Sequence, residues 1–513
     1  MKNNSPLILS LDLGTTAIKV GLFTIEGDLL RVETREQRLI FLNGGKVEQS
    51  PRETWELIAH ATRKVMLGYS SGHVKAIALS LQRGTVIPLD RDGQPLSNFI
   101  VWMDKRGFPL IEDMEKKVGS KTYYEISGHP ISYITGVSKV LWVHQHAHAL
   151  YPQLETIGPP ETLILRWLGC ERLVCSHSTG TYLFPFKIGE KTWSEEIAGI
   201  LDFPIERLPE LVTSVEVIGK LSKQAAALLG LHPGIALVPG GGDGQCAAVG
   251  CGAIGSGLSM INIGTGAGVQ TYLSKPLIDP EYILNCAAHV MPDGWEMEGH
   301  TQASGAVLRW WRDEFGSEEL ALQRTSKLDA FDLLIEHAKG VPPGCAGLLF
   351  LPLFNGSTAP KMDQQARGVF LGLSLAHGRS HVIRAILEGI SLEIRWMLDA
   401  IKFAGADIQE IRLVGGGARN PYWNQIHADI LDRPISTLHN TDAAMVGAAM
   451  CGAVAAGYYR DMEEAAQKFI KIKETIEPRS QNRAVYQISY QNYRDTFSLL
   501  SESGIFNQLR RQE

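Results

Sequence analysis

Asp243 stands in VPGGGDGQCAAVG, a carboxylate with glycines on both sides. It lies between two copies of a smaller pattern. The first is LSLDLGTT, residues 9–16, which carries Asp12, Gly14, Thr15 and Thr16. The second is SMINIGTG, residues 259–266, which carries Asn262, Gly264, Thr265 and Gly266. Each copy is a run of β-type residues with a polar residue near its end, then Gly-Thr and another small residue. A strand ending in such a turn lets backbone N–H groups and a hydroxyl face phosphate oxygens. Two such turns would grip one polyphosphate from opposite sides. A carboxylate between them stands where a phosphoryl-transfer enzyme keeps its base.

The other candidates sort by what their side chains offer. Lys19 adds positive charge beside the first turn, and Asp12 is placed to hold a magnesium ion through water. Read alone, DLGTT is equally a hairpin whose Asp and Thr satisfy turn hydrogen bonds. No GxxxxGK[ST] loop is present. Gln82 and Arg83 follow a strand and offer hydrogen bonds to a polyol, Trp102 offers a wall, and Asp104 either contacts the ligand or pairs with Arg106. Glycines around Asp243 would let a ligand approach the backbone closely. His144, His146 and His148 alternate in HQHAHA, but the segment reads as helical. In a helix only the pair four apart shares a face, so a solvated helix end is expected rather than a metal site. Trp310 and Trp311 read as core, and Cys246 and Cys251 as small buried residues.

At 513 residues, two large domains are expected. The net charge of −6 argues against a nucleic-acid surface. Seven scattered Cys without a CxxC pair point to reduced thiols in a cytoplasmic compartment. No apolar run approaches a membrane span, and Asp12 interrupts the only N-terminal candidate for a signal segment.

The elements that must position these residues are legible. Strands are expected at 7–13, 20–24, 29–34 and 74–81, with a helix near 51–67. A further strand starts at 235, and the Gly-rich stretch 240–257 reads as the junction between halves. The second half restarts with strands at 258–263 and 267–273, which makes the chain a low-identity duplication. Residues 411–414 form a strand and 415–417 a tight loop. Asn420 then caps a helix with Pro421 at its first position. A small-residue helix follows near 442–456, able to pack closely on the sheet or the Gly loop. The tail, 458–513, reads as a charged helix, a linker and a helix near 484–502. It is expected either to pack back on the body or to support a homodimer.

Taken in order, these motifs resemble the FGGY carbohydrate kinases of the actin-like ATPase superfamily, from about residue 7 to 457. The most specific match is GVFLGLSLAHGRSHVIRAILEGISLEIR, residues 368–395, through Gly368, Phe370, Gly372, Leu373, His381, Ala385 and Glu388. A second signature matches through Lys139, Trp142 and Gln145, while Ile134 and Gly136 depart from it. The resemblance implies an α/β fold of two actin-like (ribonuclease H-like) domains, 1–250 for the sugar and 251–513 for ATP, with the catalytic cleft between them. It implies ATP and Mg2+, with Asp243 as catalytic base and Asp12 and Asp243 at the metal. Gly14, Thr15, Thr16 and Lys19 resemble the first phosphate loop, and Gly264, Thr265 and Gly266 the second. Gly305 resembles a nucleotide-contacting glycine, with Arg309 one turn on, and Gly416, Gly417 and Asn420 resemble the adenosine loop. Gln82, Arg83, Gly84, Trp102, Asp104, Asp243 and Gly244 make up the expected substrate set.

The acceptor is expected to be a small sugar or polyol. Gln82-Arg83 followed by Thr85 resembles glycerol kinases, yet Gly84 replaces their acidic residue and also the His of xylulose kinases. IVWMDKR and SKVLWVHQHAHALYPQ are similar to xylulose kinases. LFNGSTAP has Ser357-Thr358 where many pentulose kinases show an acidic-basic pair. A ketopentose such as xylulose is therefore expected first, with glycerol or another polyol as the alternative and a non-catalytic actin-like sensor as the rival. The missing side chain at Gly84 reads as extra room for a longer or branched sugar.

Overall fold

The computed structural model describes residues 5–326 and 328–510. The first half is organised around β1 (Leu7–Leu13), whose seven residues LILSLDL are almost wholly buried on both faces. Leu7, Leu9, Leu11 and Leu13 point into one core and Ile8 into another, so the strand is central and buried on both sides. It pairs antiparallel with β2 (Ala17–Thr24), which pairs with β3 (Leu29–Glu36). Helix α1 (Pro51–Val65), capped by Ser50 with Pro at its first turn, covers the leucine face and leads to β4 (Val74–Leu81), parallel to β1. Helix α2 (Val137–Gln145) carries the Lys139 segment. Strands β5 (Gly219–Lys220) and β6 (Ala236–Gly242) complete a six-stranded sheet of order β5-β6-β4-β1-β2-β3.

The stretch read as the junction between halves is regular structure as far as residue 250. Strand β6 runs to Gly242, and helix α3 (Asp243–Gly250) starts at once. Its glycines answer crowding: a Cβ on Gly242 would meet the Arg83 side chain at 2.5 Å.

The second half repeats the plan. Strand β7 (Gly257–Ile263) pairs antiparallel with β8 (Ala267–Leu273), and β9 (Asn285–Ala288) and β10 (Trp295–His300) extend that side. After α4 (Gly305–Phe315) and the long α5 (Arg379–Phe403), β11 (Ile408–Gly415) returns parallel to β7. Helix α6 (Pro421–Leu431) starts where the sequence placed it: the Asn420 side chain accepts from the N–H groups of Tyr422 and Trp423. Strand β12 (Ile435–Leu438) is parallel to β11. In both sheets, then, a central strand has an antiparallel partner next in sequence and two parallel strands on its other side, which is the internal duplication seen as topology.

Helix α7 (Ala443–Ala455) explains its composition. It lies against the first sheet and crosses α3 at backbone contact: a Cβ on Gly447 would meet the Cys246 carbonyl oxygen at 1.9 Å, and one on Gly250 the Ala443 carbonyl oxygen at 1.8 Å. The tail packs on the body. Helix α8 (Met462–Phe469) is followed by β13 (Ile472–Ile476), an edge strand of the second sheet where a linker was expected. Helix α9 (Arg483–Glu502) buries Tyr486, Tyr490, Tyr493 and Phe497, the last against Trp396 of α5. Among the described residues no helix is long and apolar enough to cross a membrane.

Candidate active site

A cavity of about 630 Å³ opens where the ends of β1, β4 and β6 face those of β7 and β11. Its lining draws together ten of the sequence-derived candidates: Asp12, Gly14, Lys19, Arg83, Trp102, Asp243, Gly244, Gly264, Gly266 and Gly416. The strand ends collect them because both sheets turn the same end of their parallel strands toward the gap, the usual place for ligands in open α/β sheets.

Asp243 is the first residue of α3, and its side chain is 44% exposed, so a substrate can reach it. Its Oδ1 accepts from the Gly244 N–H at 2.8 Å and lies 3.4 Å from Arg83 Nε.

Arg83 is held from several sides. Its Nη1 donates to both carboxylate oxygens of Glu298, at 3.1 and 3.0 Å, and its guanidinium lies 4.2 Å from the centre of the Tyr182 ring. Burial opposes the charge on Arg83, but Glu298, Asp243 and Glu296 outweigh it and keep the guanidinium protonated. Burial likewise opposes ionisation of Glu298, yet Arg83 and His300 bring its pKa down to about 2. Glu296, fully buried beside them, is pushed up to about 8 by burial despite Arg83.

The two carboxylates of the metal expectation share the cavity. Asp12 accepts from the Ser80 hydroxyl at 2.7 Å. Desolvation raises its pKa to about 6, helped by Asp243 and Asp442 and opposed by Ser80 and Lys19. Lys19 Nζ donates to Asp442 at 2.7 Å. No cluster of three or more metal-ligating side chains occurs among the described residues. A pair of carboxylates facing a cavity still fits magnesium, which keeps most of its water shell.

Other candidates sit behind the lining. The Thr15 hydroxyl donates to Gln82 at 3.0 Å and accepts from Trp102 Nε1 at 2.9 Å, so it braces the Trp wall instead of facing the cavity. Gln82 also donates to Gln49 and is 5% exposed; it is a strut between loops, not a lining residue. Thr16 is exposed outside the lining. Asp104 resolves in favour of the ion pair: it is fully buried, accepts from Arg106 Nε and the Val47 N–H, and does not reach the cavity. Thr265 and Gly305 support the second turn through backbone bonds, Ser304 N–H to Thr265 at 2.9 Å and Gly305 N–H to Gly264 at 3.0 Å. Gly417 and Asn420 shape the start of α6, Asn420 donating to Asp332. Arg309 is exposed on α4, outside the lining.

The extra room expected at Gly84 is absent. Its φ is +68°, and a Cβ there would meet the Ile134 carbonyl oxygen at 2.4 Å. Glycine is required by this backbone and by the loop that fills the space. Lys139 holds that loop, donating to the carbonyls of Tyr133 and Thr135 at 2.6 and 2.8 Å.

Sequence reasoning passed over Gln270, His300, Arg419 and Asp442, which line the cavity, and the buried Glu298 behind it. The alternation in WEMEGH is an ordinary strand signal; only two acidic residues on one face of a buried strand hinted at a charged partner.

Two family models match the chain: the N-terminal domain of the FGGY family of carbohydrate kinases over residues 7–250 and its C-terminal domain over residues 259–456. The chain belongs to the FGGY family of carbohydrate kinases. It is an ATP-dependent carbohydrate kinase with the family's two-domain fold. The kinase is 28% identical to the xylulose kinase of Bacillus subtilis (strain 168) over 494 residues, 96% of each chain. It is 28% identical to a gluconokinase of Bacillus licheniformis over 452 residues, 88% of each. Among solved structures it superposes on ligand-bound xylulose kinase from Lactobacillus acidophilus with a TM-score of 0.88 at 24% identity, covering 97% of this chain and 98% of that one.

Proposed function

We propose that this kinase transfers the γ-phosphoryl group of ATP to a hydroxyl of a ketopentose, with xylulose the first candidate. The observation that carries the reading is Asp243, half exposed at a helix N-terminus, beside Arg83 and in the same cavity as both glycine turns. The xylulose kinases among its relatives support the substrate. Residues 1–250 take the acceptor, with Arg83, Trp102 and Gly244 around Asp243. Residues 251–513 take ATP, with Gly264, Gly266 and Gly416 presenting backbone to the phosphates and nucleoside and Lys19 reaching across from the first half. The reaction belongs in the cytoplasm, in keeping with seven buried free cysteines.

Asp243 accepts the proton of the attacking hydroxyl, whose oxygen bonds to the γ-phosphorus as the β–γ bridging oxygen leaves with ADP. The Gly244 N–H fixes the carboxylate, and Arg83 steadies its charge before the proton arrives. Asp12 and Asp243 would hold magnesium, which supplies charge neutralisation on the phosphates. Closure of the halves about the α3–α7 crossing would exclude water and limit wasteful hydrolysis.

The test is acceptor-dependent ADP release with ATP and Mg2+ across ketopentoses, ketohexoses, pentitols, tetritols and glycerol. A ketopentose as best acceptor is expected, with a phosphomonoester product in 31P NMR. A best response to glycerol or a pentitol would replace the ketopentose with the polyol reading. ATP binding with no transfer to any acceptor would refute the kinase reading.

A further inference from the structure

Arginine at the floor of a sugar site is the ordinary receptor for a carboxylate, because its planar fork matches two oxygens at once. Here half of the fork is already taken and its charge balanced, with Nη2 left for a hydroxyl. Nη1 is bound to both oxygens of Glu298, Nε faces Asp243 at 3.4 Å, and Glu296 lies 4.0 Å from Nη1. Glu298 is itself fixed by Gln270 Nε2 at 3.2 Å, His300 Nε2 at 3.3 Å and Asn285 Nδ2 at 3.4 Å. Its side chain is wholly buried, so solvent does not compete for it. One guanidinium thus faces two ionised carboxylates, Glu298 and Asp243, and this end of the cavity carries a negative surplus. Of the other cationic side chains lining the cavity, Lys19 is paired with Asp442, and Arg419 follows the Gly415–Gly416 turn on the second half.

We propose that the acceptor end is built for an uncharged polyhydroxy substrate and against sugar acids, and that Glu298 is the positioning residue that sets this by keeping Arg83 occupied. The inference rests on the reading that the acceptor lies beside Arg83 and Asp243. Hydroxyls can donate to Asp243 and bond to the Gln270 amide, which also lines the cavity. A carboxylate meets Asp243 beside an Arg83 whose charge Glu298 already balances, and like charges placed together are strongly disfavoured. Glu298 comes from the second half while Arg83 comes from the first, so acceptor selection depends on both halves.

The experiment compares kcat/KM of the wild-type protein for the best uncharged acceptor with that for gluconate and xylonate. The ratio is independent of the fraction of active protein. A preference of about 100-fold or more for the uncharged acceptor is expected. In E298Q, which keeps the shape and removes the charge, the preference should shrink about tenfold or more. The change should appear as a lower KM for the acid and a higher KM for the neutral sugar, with kcat less affected. Equal or better use of a sugar acid by the wild-type protein would overturn the inference and leave the kinase reading standing. A preference unchanged in folded E298Q would remove Glu298 from the role. Absence of turnover with every acceptor would overturn this inference together with the reading beneath it.

Discussion

The turns Gly14–Thr16 and Gly264–Gly266 close equivalent antiparallel pairs in the two sheets, yet they are held in different ways. The first closes with a backbone bond, Gly14 N–H to Ala17 at 3.0 Å, and is braced further by side chains: Thr15 is tied to Gln82 and Trp102, and Lys19 to Asp442. The second is held by backbone: Gly264 N–H to Gly266 at 2.9 Å, and the Ser304, Gly305 and Ala306 N–H groups to Thr265 and Gly264. The strand-end polar residue is Asp12 in one and Asn262 in the other. A side-chain-braced turn transmits changes to the wall it braces, which is Trp102. A backbone turn without charge of its own is suited to phosphate oxygens, which need N–H donors. The two turns share one scaffold, and their differing residues tie the first to the Trp102 wall and leave the second without a side-chain charge.

This contrast can be broken most severely at Asp243. D243N keeps the helix start and removes the base, so sugar phosphorylation should fall by about 10²–10⁴ while ATP affinity stays within a few fold. Near-normal turnover would assign the proton to another group. The cradle is tested by G305A, whose Cβ would meet the Gly264 carbonyl oxygen at 2.3 Å. Displacing that carbonyl should raise the KM for ATP about tenfold or more and leave the acceptor KM nearly unchanged. A matching rise in both would mean the second turn also shapes the acceptor site. G84A probes the corrected reading of that position. It should lower stability by about 1–3 kcal/mol, seen as a lower Tm, without changing the order of acceptors. A new preference for longer sugars in a stable G84A would revive the idea that this position sets acceptor size. The smallest effect is expected for W102F, which loses the hydrogen bond to Thr15, about 1 kcal/mol, and should raise the acceptor KM severalfold.

Much of the scaffold was legible because its signals are local. The apolar run of β1, the Asn420-Pro421 helix start and the small-residue helix at 443–455 each state their geometry within a dozen residues. The two glycine turns were legible because they repeat. What escaped is long-range. Arg83 and Glu298 are 215 residues apart, and nothing in WEMEGH names its partner until the topology places β10 beside β8 and the Arg83 loop. Gln82 and Thr15 have site-like chemistry but spend it on each other, because residues just behind a cavity obey the same hydrogen-bonding needs as those lining it. At Gly84, a missing side chain read as space; the positive φ and the Ile134 carbonyl mean instead that no side chain fits. The tail segment IKETI lacks a regular apolar alternation, as an edge strand with one exposed side can, and so read as a linker.

In the proposed reading the acceptor lies at the Arg83–Asp243 end of a cleft whose other end takes ATP. The two KM values of R83A test it most directly. The acceptor KM should rise about tenfold or more, from loss of a charged hydrogen-bonding group, with the KM for ATP within about twofold of wild type. A KM for ATP that rises while the acceptor KM stays put would contradict it and move the acceptor elsewhere in the cleft.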